Sequence, residues 1–96
     1  MKVSDITVND IVNYCRITET TETDLAFIQQ TIAIATAYIR SYTGLDNEGI
    51  DKHEDFIIVV YILCQDMWDN RTLYVDSKGL NNTVETILGM HSVNLL

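Results

Sequence analysis

The run Phe56-Ile-Ile-Val-Val-Tyr-Ile-Leu-Cys64 is the strongest constraint on the fold. Its nine consecutive apolar residues leave no polar face on any regular element. The β-branched residues are compatible with a strand. The polar continuation Gln65-Asp66-Met67-Trp68-Asp69 and the overall length favour a helix. Asp51 and Glu54 have capping-box spacing, which predicts a helix from Asp51 to near Arg71. A helix that is apolar all round has to be enclosed by the rest of the chain. The run is too short to cross a bilayer, which takes about 20 residues, and charges flank it at Glu54-Asp55 and Asp66. It therefore predicts a buried helix of a soluble protein. Lys2 is followed by Val3-Ser4-Asp5 rather than an apolar stretch, so no secretory leader is expected.

A second long helix is predicted from about Asp24 to Thr43. Leu25, Ile28, Ile32, Ala35, Ile39 and Tyr42 recur at intervals of three and four residues. Gly44 supplies the left-handed residue that ends such a helix. Phe27, Ile34 and Tyr38 widen the apolar arc to roughly half the circumference, where facing a single core needs roughly 100°. This helix should therefore be covered from two directions, by other helices of the domain or by a neighbouring subunit.

The shorter segments follow from caps and turns. Thr7 and Asp10 have capping-box spacing ahead of Ile11, Tyr14 and Cys15, predicting a short helix from about 8 to 16. Residues 18–23 read as a loop ending in an N-cap at Thr21 or Thr23. Leu45 to Ile50 reads as a turn. Leu73-Tyr74-Val75 is strand-like, and Asp76-Ser77-Lys78-Gly79 is turn chemistry. Residues 72–83 thus form an exposed loop or a small hairpin, a length often tied to function. A last helix starts at Asn82 or Thr83, carries Val84, Ile87 and Leu88, and ends at Gly89. The apolar tail Leu95-Leu96 suggests burial against something else. The expected fold is all-α: a single domain over 1–96, a small bundle of about four helices, two long and two short, with a long loop or small hairpin before the last.

Little in the sequence points to chemistry. Fourteen Asp+Glu against six Lys+Arg give a net charge of −8, against the basic patches that nucleic-acid binding needs. Cys15 and Cys64 lie within apolar helical stretches and read as reduced, buried thiols. His53 and His91 are far apart in sequence, belong to no metal-binding pattern, and read as surface or helix-end residues. Asp46-Asn47-Glu48-Gly49-Ile50 fails the calcium-loop pattern, since Gly49 comes too early and Ile50 takes a ligand position. The acids at 46–55 and 66–76 read as solvated surface. No phosphate loop or nucleophile motif is present. The expectation is no enzyme, with no catalytic, cofactor-binding or metal-binding residue and no cofactor.

Trp68 and Arg71, three residues apart at a helix end, can stack on one another. One reading is a Trp anchored in the core, with Arg71 serving the C-terminal carbonyls of its helix; the other is an interface anchor, because Trp, Tyr and Arg dominate binding hot spots. Candidate interface residues are therefore Phe27, Ile34, Tyr38, Trp68, Arg71, Tyr74, Leu95 and Leu96.

The stretch Ala35-Thr-Ala-Tyr38-Ile39-Arg40-Ser41-Tyr42-Thr43-Gly44 resembles the A-x-x-Y-I-x-x-Y-T-G end of the long helix in small head–tail connector proteins of tailed phages. These are the gp6-like connectors, often described as DNA-packaging proteins. Trp68-Asp69-Asn70-Arg71 resembles their W-Y-x-N-R segment, with Asp69 in place of the usual aromatic. The opening Val3 to Val8 and the ending Glu85 to Leu96 are also similar, so the resemblance runs in order along nearly the whole chain. No Pro precedes the last helix, where relatives often have one.

The resemblance implies a mostly helical structural protein of a phage or prophage. It would form a ring of about a dozen subunits below the portal protein, extending the DNA channel and docking a tail-side stopper or completion protein. DNA would pass through without specific binding, consistent with an acidic surface. It further implies assembly in the bacterial cytoplasm, residence at the virion head–tail junction and no membrane. The alternative is a small acidic protein-binding module, such as an inhibitor that mimics DNA. Such a module needs carboxylates spaced like phosphates along one face, and the second helix is nearly free of acids.

Overall fold

Threonine–aspartate capping boxes start the first two α-helices. In the computed structural model, which describes residues 1–92, a 3-10 turn at Val3–Asp5 precedes α1, Val8–Tyr14. Thr7 Oγ1 accepts from the Asp10 amide at 3.2 Å, and Asp10 Oδ2 accepts from the Thr7 amide at 2.9 Å. The helix ends slightly before the expected boundary, because Arg16 takes a left-handed conformation with φ of 56°. Thr21 and Asp24 form the same reciprocal pair, both at 3.1 Å, and open α2, Glu22–Thr43. Gly44 closes α2 with φ of 78°, where a Cβ is disfavoured.

The expected helix start at Asp51 is not observed. A separate short α3, Asn47–Asp51, lies in the expected turn, capped by Asp46, whose Oδ1 accepts from the Gly49 amide at 2.7 Å. Asp51 ends this helix, and its Oδ1 accepts from the Ser4 amide at 3.0 Å. Hydrogen bonds from Ser4 hold the Asp51 carboxyl below its ordinary range. Its carboxylate thus ties the 3-10 turn to α3 instead of starting a helix. The long apolar helix, α4, is Phe56–Asn70.

After α4 the described residues contain no strand, so the hairpin alternative is not formed. Asp76 organises a turn instead: its Oδ1 accepts from Lys78 N at 3.0 Å and its carbonyl from Gly79 N at 3.3 Å. Asn81 caps α5, Asn82–His91, accepting from the Thr83 amide at 2.8 Å. Gly89 does not end this helix. Only Gly44 among the glycines has positive φ, so Gly89 is an interior helical residue and α5 runs on to His91. The result is all-helical, with five α-helices among the described residues. None of them is long and apolar enough to cross a membrane.

The core lies between α2 and α4, which make the most extensive pairing. From α2 come Ile28, Ile32, Ala35 and Ile39; α4 contributes Phe56, Val59, Val60, Leu63, Cys64 and Met67. Helices α1 and α5 each pack on both long helices, bringing Ile11, Val84 and Leu88. Other helices of the same chain thus cover α2 from more than one direction. Thr31 and Thr43 are also buried there, and each hydroxyl donates to a carbonyl of its own helix at 2.7 Å. Leu25 and Tyr42, expected on the buried stripe, lie near the helix ends and are exposed. The enclosure expected of α4 is also incomplete: Ile57, Tyr61 and Ile62 are only half-buried, and Ile58 is 36% exposed.

Two substitutions test this description. Thr21→Ala removes the α2 cap and should lower stability by about 1 kcal/mol. Phe56→Ala, at the largest fully buried side chain, should cost about 3–5 kcal/mol. Urea unfolding followed by circular dichroism measures both.

Candidate functional surface

The end of α4 and the start of α2 meet at a corner built around Trp68. The α4 backbone stops because Arg71 adopts a left-handed conformation with φ of 53°, and its amide bonds back to Trp68 O at 3.3 Å. This reversal folds the guanidinium over the indole, with Cζ 3.7 Å from the ring centroid. The stacking expected from the i, i+3 spacing is therefore present. Phe27 meets the indole edge-on at 6.1 Å and 67°. Arg71 Nη1 also lies 3.7 Å from Asp24 Oδ1. With the Arg71 side chain 59% exposed, that ion pair contributes little, about 0–1 kcal/mol.

Beyond Arg71 the loop stands away from α4 and leaves an open cavity of about 540 Å³. Leu63, Met67, Val75 and Leu80 form its apolar wall, with Asp66 and Asp76 beside them. Desolvation, and then the neighbouring Asp69 carboxylate, push the Asp66 carboxyl above its ordinary range. Tyr74 lines this cavity and is 64% exposed, the most outward of the candidate aromatics.

The candidate interface residues divide into groups. Arg71, at the end of α4, and Tyr74, in the loop that follows, are exposed. Phe27, Ile34, Tyr38 and Trp68 are half-buried; Ile34, Tyr38 and Trp68 pack against the core, and Tyr38 also contacts Tyr42 at 6.1 Å. Burial, then Tyr42 and Glu85, push the Tyr38 phenol upward. Leu95 and Leu96 lie outside the described residues. Sequence reasoning missed Ile58 and Met90, both exposed in the chain. Ile58 sat inside a run expected to be enclosed, and Met90 followed the glycine expected to end α5.

The structure also joins two histidines that the sequence kept apart. The His53 and His91 rings lie 4.1 Å apart, and His91 Nε2 is 2.7 Å from Asp55 Oδ2. Ligand atoms of His53, Asp55 and His91 all fall within 4.8 Å of one another. No spacing could reveal this, because the packing of α5 along α4 brings the end of one to the start of the other.

Both cysteines are free thiols; Cys64 is buried as expected, whereas Cys15 is only half-buried. Burial pushes Cys64 from 9.0 up to about 12, and burial followed by the Asp69 charge also raises Cys15. At pH 8, Cys64 should resist a thiol-specific reagent in the folded protein, and both cysteines should react after unfolding. Above pH 9 the unfolded Cys64 ionises while the folded one stays neutral, so this residue's contribution to stability is lost as pH rises toward 12. Replacing Cys64 with Ala should flatten that alkaline loss, measured by urea unfolding across the pH range.

No protein-family model, curated protein or solved structure matches the chain.

Proposed function

We propose that this protein is a structural subunit of a phage-type head–tail connector, assembling side by side into a ring that surrounds a DNA channel. The observation that carries the reading is the exposed Ile58 on α4, flanked by the half-buried Ile62 and by Tyr61, whose ring Tyr14 of α1 meets at 4.9 Å. Ile58, Tyr61 and Ile62 lie at helical spacing on one side of α4, and none of the three is fully buried. Exposed apolar surface on a highly acidic chain offers a contact for a neighbouring subunit, because burying it supplies association energy.

The resemblance of Ala35 to Gly44 and of Trp68 to Arg71 to connector proteins supports the same reading. The exposed Arg71 ends α4 and the exposed Tyr74 lines the cavity under the following loop, surfaces for a portal or tail-side component to dock on. A charge of −8 per chain, repeated about a dozen times, totals on the order of −100, which favours DNA sliding past over adhesion. The chain itself would then act as a segment of wall, with no reaction to perform.

Sedimentation velocity over a concentration series tests the reading. The wild type should form a closed assembly as concentration rises. Ile58→Asp, at a site already exposed in the chain, should keep the helical spectrum and remain monomeric. A wild type that stays monomeric up to its solubility limit, or an Ile58→Asp variant that assembles equally well, overturns it.

A further inference from the structure

The cluster of His53, Asp55 and His91 has features of a built site. His53 sits in the turn between α3 and α4, and its backbone is held on both sides: its amide donates to Ile50 O at 3.1 Å, and its carbonyl accepts from Phe56 N at 3.3 Å. Asp55 occupies the N-cap position of α4, yet its side chain makes no cap hydrogen bond. An aspartate there normally accepts from the first-turn amides. This one reaches across to His91 Nε2 at 2.7 Å instead. His91 is the last residue of α5, and only 18% of its side chain is exposed. The fully buried Phe56 meets both imidazoles, at 5.6 Å from His53 and 4.9 Å from His91, and provides an apolar floor.

We propose that His53, Asp55 and His91 bind a divalent transition-metal ion of the zinc class, which clamps the end of α5 to the turn before α4. Two imidazole nitrogens and one carboxylate oxygen are a donor set suited to zinc, with water in the fourth position. Calcium and magnesium prefer oxygen ligands throughout. Neighbouring donors in a tetrahedral zinc site are about 3.3 Å apart, from bond lengths of about 2.0–2.1 Å. The three ligand atoms here lie within 4.8 Å of one another; on binding the wider pairs draw in, and the His91 Nε2–Asp55 Oδ2 pair at 2.7 Å opens as its hydrogen bond gives way to the ion. Asp55 at 38% side-chain exposure leaves an entry path from solvent. The ion joins residues 36 positions apart along the chain, and binding only the folded state raises its stability.

Calorimetric titration of the untagged full chain with zinc chloride tests the site. The wild type should bind one ion per chain and unfold at a higher temperature when it is present. His53→Ala and Asp55→Asn should each weaken binding by at least roughly tenfold, as loss of a ligand costs no less than loss of an outer-shell partner. A Cys15→Ser/Cys64→Ser double variant should keep wild-type affinity, which separates this site from thiol binding. The Ile58→Asp variant should also bind normally, which separates it from assembly. Substitution with cobalt(II) should give the visible absorption of a four-coordinate ion. Absence of saturable one-to-one binding by the wild type overturns the proposal. So does undiminished binding by folded His53→Ala and Asp55→Asn proteins, with folding checked by circular dichroism.

Discussion

The pairing of α2 with α4 is the constraint on which the other elements depend. A continuous apolar run cannot remain in water, and in so small a chain only another long helix offers enough surface to receive it. The fully buried Ala35 adds little bulk at that contact. Once the two long helices are paired, α1 and α5 each close a seam between them. The 3-10 turn and α3 seal the remaining end through Val3, Ile6 and Ile50, and the Ser4–Asp51 hydrogen bond fastens one to the other. No polar side-chain atom in the described core is left without a partner, because its two threonines satisfy themselves within α2.

The sequence was most legible where structure is local. The caps at Thr7, Thr21 and Gly44 each involve residues within one turn, and so does the stacking of Arg71 on Trp68. It was less legible where one signal had several uses. Asp51 had capping-box spacing with Glu54, yet its carboxylate accepts from the distant Ser4 amide, while Asp46 starts a helix in a stretch expected to be a turn. Gly89 carried a stop signal that nothing downstream completed. The exposure of Ile58 was hidden because composition records that a run is apolar, not how many neighbours remain to cover it. The histidine cluster was least legible of all, since it exists only through the packing of α5 beside α4.

These features give the two ends of α4 different characters. Its beginning carries the imidazoles and carboxylate around Phe56. Its end carries the stacked arginine and the loop that presents Tyr74. Between them lie the exposed Ile58 and the half-buried Ile62. A wall subunit in a connector ring would use the middle for neighbours and the loop for docking, while a metal clamp would hold the other end rigid. The acidic surface adds a long-range repulsion to anything of like charge, including the DNA such a ring would enclose.

Electron microscopy of the concentrated protein, with rotational averaging of single particles, tests the connector reading most directly. The account predicts closed rings with a central opening wide enough for duplex DNA and α4 facing the adjacent subunit. Particles that are only monomers, or assemblies that are open or lack a central opening, would contradict it.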